Sequence, residues 1–134
     1  MNLIKKINLK TAAYINIAII LLVIFCHLLI VFQIIPFSWV NGGRSLTFES
    51  QKQSSLISIS ILFLMIPINV GAMKYFLNKF LNIILKILLY GLFIYFALSL
   101  IMQLFGTLFE KTVMSILCLI SALMYLRLAI EKRI

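Results

Sequence analysis

Between Ala12 and Ile35 the sequence carries no Asp, Glu, Lys or Arg, and three further apolar runs of similar reach follow it. A helix rises 1.5 Å per residue, so about 20 apolar residues are needed to cross a hydrocarbon layer of roughly 30 Å. Four segments meet that demand: Ala12 to Ile35, about Ser54 to Met73, about Ile83 to Phe105, and about Val113 to Ile130. The first is closed by Pro36, whose ring disfavours helix in the residue before it. Lipid offers no partner to a free backbone amide, so spanning segments are helices or closed barrels, and no alternating pattern here supports strands. The fold class expected is all-α, an integral membrane four-helix bundle forming a single domain over residues 1–134.

Composition agrees with this solvent. Apolar residues make up 64% of the chain and charged ones 11%, with a mean hydropathy of +1.19. A soluble domain of this length would need a polar shell that so few charges cannot supply. The run after Lys5, Lys6 and Lys10 is too long for the h-region of a secretory signal, about 7–15 residues, and no small-residue cleavage site follows it. It is therefore expected to be an uncleaved first span.

The net charge of +9 is spread around the apolar runs rather than gathered in a basic domain, which argues against a nucleic-acid partner. Its distribution fits membrane orientation instead. With the N-terminus inside, Lys5, Lys6, Lys10, Lys74, Lys79, Lys86, Arg127, Lys132 and Arg133 fall on the cytoplasmic side, and only Arg44, Lys52 and Lys111 outside. That positive-inside bias predicts both termini in the cytoplasm and an up-down-up-down order. Lys86 and Arg127 lie near the cytoplasmic ends of their spans, where their stems could snorkel to the headgroups. The first outer loop, Phe37 to Gln53, is the only long one, while Gly106 to Thr112 forms a tight outer turn.

Polar residues within the spans are the natural site candidates, because burying them in lipid is costly. His27, the only histidine, lies in the outer half of the first span and shares a face with Asn16. One bond to a serine or a carbonyl would satisfy it structurally; otherwise it is a ligand or proton group. Asn69 sits on a small, weakly polar stripe with Ser54, Ser58, Met65 and Ala72, a pattern suited to close helix packing, and Gln103 lies at the outer end of the third span. Ser115, Ala122 and Ala129 form a second stripe in the fourth span. Pro67 is expected to kink the second span.

In the outer loop, Trp39 with Phe37 and Phe48 suits the headgroup zone. Asn41, Gly42 and Gly43 permit a sharp turn just before Arg44, which could hold an anion or a lipid phosphate. Glu110 could pair with Arg44 or Lys52 at the same surface, and Glu49 adds a second outer carboxylate. Cys26 and Cys118 form no CxxC pair and are expected to be free apolar thiols. No metal-type spacing and no cofactor motif occurs.

His27, Pro36, the turn Trp39-Val40-Asn41-Gly42-Gly43-Arg44, Glu110-Lys111-Thr112 and the closing Arg127 to Lys132 together resemble a group of small four-span bacterial membrane proteins of unknown function. The resemblance covers nearly the whole chain and implies a bacterial plasma membrane, with no activity attached. Small multidrug exporters fit poorly, since the first span lacks their glutamate. Thiol oxidoreductases similar to vitamin K epoxide reductase need a CxxC, which is missing.

With no nucleophile-base pair in view, the leading functional expectation is a non-enzymatic interaction or accessory protein, partnered by another membrane protein or by its own copies. The alternative is a carrier or binder of a small or lipidic ligand within the bundle, opening to the outer face. An outer-leaflet enzyme using His27 with Glu49 or Glu110 ranks last.

Overall fold

The computed structural model describes residues 2–40 and 43–133, and their regular structure is entirely helical. A short helix α1 (Asn2–Lys5) precedes four long ones, α2 (Leu9–Val31), α3 (Phe48–Ala72), α4 (Lys79–Leu104) and α5 (Ser115–Ala129). A π-helical turn, Glu110–Met114, leads directly into α5, and a 3-10 turn, Phe37–Trp39, lies in the loop after α2. Counting the π turn with α5, four helices are long and apolar enough to cross a membrane.

Helix starts are set by polar caps that accept free first-turn amides. Asn8 accepts from Lys10 N–H at 2.8 Å, Thr47 from Ser50 N–H at 3.2 Å, and Asn78 from Phe80 N–H at 2.9 Å. These caps begin the helices earlier than the apolar runs do. In α3 the difference is largest: Glu49, Gln51 and Lys52 read as loop by polarity, yet they form its first turns behind Thr47. Glu49 also places a negative charge at the positive helix end.

Helix α2 stops at Val31, short of the Ile35 boundary expected from Pro36. Gln33 takes a left-handed conformation (φ 62°), while Ile34 N–H bonds Leu29 O at 2.8 Å and Gln33 N–H bonds Ile30 O at 3.0 Å. Those paired bonds form a Schellman motif, which ends the helix before the proline acts. Helix α3, by contrast, continues through Pro67.

Cross-helix contacts fix alternating directions. His27 near the end of α2 meets Ser55 near the start of α3, and Arg127 near the end of α5 meets Ile7 just before α2. Helix α2 packs on both α3 and α5, and α4 packs on α5, whereas α3 and α4 touch only sparsely. The short link from Met73 to Asn78 thus does not make α3 and α4 close neighbours. Small residues decide the pairing: Ser115, Ser121, Ala122 and Ala129 of α5 are buried and let it sit centrally. The α5 segment is the most buried of the four, and α4 is the most exposed.

The polarity of the bundle is the reverse of a water-soluble one. Leu21, Phe25, Leu64, Ile87 and Leu98 point outward, while Asn16, Ser55, Asn69 and Ser121 are enclosed. Asn69 donates to Tyr125 Oη at 2.8 Å and to Met65 O at 3.0 Å, and Tyr125 stacks on Phe96 at 5.4 Å.

The end of the bundle that holds both termini is tied by two arginines. Arg127 is not a snorkelling side chain: it is 7% exposed, and its Nε donates to Ile7 O at 2.7 Å while Nη1 pairs with Glu131 at 2.7 Å. A fixed acceptor within reach outweighs extension toward headgroups. Arg133 donates to Ala72 O and Lys74 O at 2.7 and 2.9 Å, and Tyr75 donates to Glu131 at 2.5 Å. The Tyr75 hydroxyl, and then Arg127, hold the Glu131 carboxyl below its ordinary range.

Candidate functional site

At the opposite end lie the loop after α2 and the turn between α4 and α5. The sparse meeting of α3 and α4 leaves a cavity of about 360 Å³ between all four helices. Arg44, Gln51, Gln103 and Glu110 line its mouth; His27, Ser54, Ser58 and Ser99 lie at the middle; Ile20, Leu62, Met65, Phe96 and Cys118 form its floor. From Gln51 to Met65 the lining follows α3 over fourteen residue steps, about 21 Å at the helical rise.

His27 is held by a chain of hydrogen bonds. Ser45 Oγ donates to Gln51 Oε1 at 2.6 Å, Gln51 Nε2 donates to Ser55 Oγ at 3.0 Å, and Ser55 Oγ lies 3.0 Å from His27 Nδ1. Ser55 Oγ, which accepts from Gln51, has both a proton and a second lone pair with which to meet Nδ1, so it serves either tautomer of the ring. The imidazole is thereby oriented by a serine, and His27 is also part of the cavity wall.

Glu110 is 6% exposed, and its local geometry is that of a helix start. Thr107 N–H donates to Glu110 Oε1 at 3.3 Å, and Glu110 N–H donates to Thr107 Oγ1 at 3.3 Å. This reciprocal pair is a capping box, made by Thr107 and Glu110 at the required spacing. Thr107 Oγ1 also donates to Trp39 O, and the Trp39 ring packs on Phe109 at 5.6 Å, so the loop and the turn are fastened together beside the mouth. The π turn beginning at Glu110 is an irregularity of the kind often found at functional sites.

Of the residues singled out from sequence, His27, Arg44, Gln103 and Glu110 converge on the cavity. Trp39 stands beside it. Glu49 is exposed on the first turn of α3 and does not line the cavity, and Asn69 is fully buried against Tyr125 beyond its floor. Gly43 does take a left-handed turn (φ 69°), while Asn41 and Gly42 lie outside the described residues. Cys26 and Cys118 are free thiols. Among the described residues no group of three or more His, Cys, Asp and Glu could hold a metal ion.

Gln51 and Ser99 in the cavity wall, and Ser55 buried behind it, are the residues that polarity alone does not single out. The spacing of Gln51, Ser54, Ser55 and Ser58 is that of one helical face, which becomes visible once α3 is started at Thr47. No family model, curated protein or solved structure matches the chain.

Proposed function

We propose that this chain is a four-span bacterial plasma-membrane protein, with both termini cytoplasmic, that binds a small ligand in the outward-opening cavity between its helices. The cavity carries this reading. A volume of about 360 Å³ falls within the range of small-molecule pockets, roughly 300–1,000 Å³, and the polar groups converge on an otherwise apolar lining. The orientation rests on the excess of Lys and Arg at the terminal end, and the bacterial setting rests on the sequence resemblance.

Cysteine accessibility in intact cells tests it. In a background of Cys26→Ala and Cys118→Ala, a Ser58→Cys variant should react with a small, membrane-impermeant methanethiosulfonate added outside. Ser60→Cys, exposed on the outer surface of α3, should stay silent because hydrocarbon suppresses the thiolate. Silence at Ser58→Cys would sink the reading.

A second reading, an interaction or accessory protein, is supported by α4. It is the most exposed of the four long helices, and Gly91 faces open space. A photoreactive residue introduced at position 91 should crosslink to a membrane partner or a second copy seated on α4, and recovery of lipid adducts alone would count against this reading.

A further inference from the structure

The outer face of α4 carries a narrow groove lined by Ile83, Lys86, Ile87, Tyr90, Gly91 and Ile94, which shares no residue with the central cavity. Ile83, Lys86, Tyr90 and Ile94 follow one another at helical spacing along one edge, and Ile87 stands on the other. Gly91, with nothing beyond it, leaves the gap between them. From Ile83 to Ile94 the groove runs eleven residue steps, about 16.5 Å at the helical rise, close to half of a hydrocarbon layer of roughly 30 Å. It has the reach of one acyl chain in one leaflet.

Two polar side chains stand on this otherwise apolar face. Lys86 is half-buried and Tyr90 exposed, and among the described residues neither the ammonium nor the phenol has a hydrogen bond or ion pair. Helix α4 has 26 residues, about 39 Å, so with its middle at the bilayer centre Lys86 lies about 6 Å inside the hydrocarbon. A cation at that depth is costly without an anion. Side chains tilt toward the helix N-terminus, so the long lysine stem carries its ammonium toward the headgroups, with the Tyr90 hydroxyl one turn behind. Lys79, seven residues earlier on the same edge, adds a second cation where the headgroups lie.

Charge and shape together select the occupant. A second copy crossing at Gly91, about a two-fold axis along the membrane normal, would bring its Lys86 to the same depth as this one and set like charges together in a medium of low dielectric. A partner helix, roughly 10 Å across, needs small residues on successive turns for close approach, whereas Gly91 is flanked by Ile83, Ile87 and Ile94. An acyl chain is thin enough for the gap, and a phosphate supplies the missing anion. We infer that α4 holds an anionic phospholipid in the leaflet at the terminal end of the bundle, its phosphate on Lys86 and Tyr90 and one acyl chain lying over Gly91. This rests on the membrane-spanning part of the proposed function and not on the cavity's binding a ligand.

Native mass spectrometry of the full chain in mild detergent tests this with two lipids of identical chains, dioleoyl phosphatidylglycerol and dioleoyl phosphatidylcholine, and with glycerol 3-phosphate as a headgroup without chains. One phosphatidylglycerol per chain should bind about tenfold more tightly than phosphatidylcholine, as a charge-assisted bond allows, and glycerol 3-phosphate should not register. Lys86→Gln should abolish the preference, while Lys5→Gln, which removes the same charge from α1, should keep it. Gly91→Leu fills the groove without meeting a neighbour and raises helix propensity, so it should weaken phosphatidylglycerol about tenfold with the melting temperature unchanged or raised. Equal binding of the two lipids, a preference kept in Lys86→Gln or lost equally in Lys5→Gln, or undiminished binding in Gly91→Leu would overturn the site. Glycerol 3-phosphate binding as tightly as the lipid would overturn the part of the acyl chain, and a dimer that Gly91→Leu dissolves would give the face to a second copy. Methanethiosulfonate on Ser58→Cys, which blocks the cavity, should leave phosphatidylglycerol bound; its loss would move the lipid into the cavity and overturn the α4 site. Failure of the lipid arms alone leaves the membrane reading standing, whereas a chain that stays monodisperse without detergent ends both.

Discussion

Replacing Arg127 by Met keeps the aliphatic stem but removes both polar contacts of its guanidinium, to Ile7 O and to Glu131. The lost bond from Nε to Ile7 O, at 2.7 Å, is charge-assisted and contributes about 1.5–3 kcal/mol. The pair with Glu131 is partly wet, its two side chains 9% and 23% exposed. It therefore belongs near the exposed class, about 0.2–1 kcal/mol, because Glu131 keeps both water and Tyr75 when the arginine is gone. Together these give a loss of about 3 kcal/mol for Arg127→Met, measured by titrating the purified protein from mild detergent into a denaturing one. Arg127→Lys restores the charge without the forked geometry and should recover part of the loss. A loss below about 1 kcal/mol for Arg127→Met would refute the reasoning, because the bond to Ile7 alone exceeds that figure.

Acid should loosen the same end. The Glu131 carboxyl titrates below its ordinary value of 4.5, so its contribution is complete above that pH and is lost as pH falls through the lowered value; Glu131→Gln should flatten that part of a stability-against-pH curve. Gln33→Gly relieves a left-handed residue and should stabilise by roughly 0.5–1 kcal/mol in the same titration, a loss instead meaning that the side chain matters more than the backbone. Gly106→Ala would set a methyl group 2.8 Å from Glu110 Cδ and 3.1 Å from its Cβ, pushing the carboxylate out of the capping box. A cost of about 0.5–2 kcal/mol is expected, and Glu110→Ala in the same background should then add little.

Hydropathy made the helices legible, because a run such as Ala12 to Ile35 leaves a chain few alternatives. Their ends are governed by local chemistry that hydropathy does not weigh. Thr47 and Asn78 are cap residues in plain view, as are Thr107 and Glu110 at capping-box spacing, whereas a left-handed Gln33 carries no sequence mark. The pairing of helices was the least readable feature. Short links suggest that sequential helices are neighbours, which holds for α2 with α3 and for α4 with α5 but not for α3 with α4, while the small residues of α5 also bring α2 against it. The cavity follows from that choice. Its polar members were visible one at a time, but the contact between His27 and Ser55 joins residues 28 apart, and depth along a helix does not reveal which helix lies opposite.

Paired reporter fusions test most directly whether these helices cross a bilayer in the order the charges dictate. Green fluorescent protein joined after Ile134 should fluoresce and alkaline phosphatase there should be inactive, while the same two reporters joined after Ser45 in the long loop should give the opposite pattern. A phosphatase active after Ile134, or a fluorescent fusion recovered without detergent, would contradict the account.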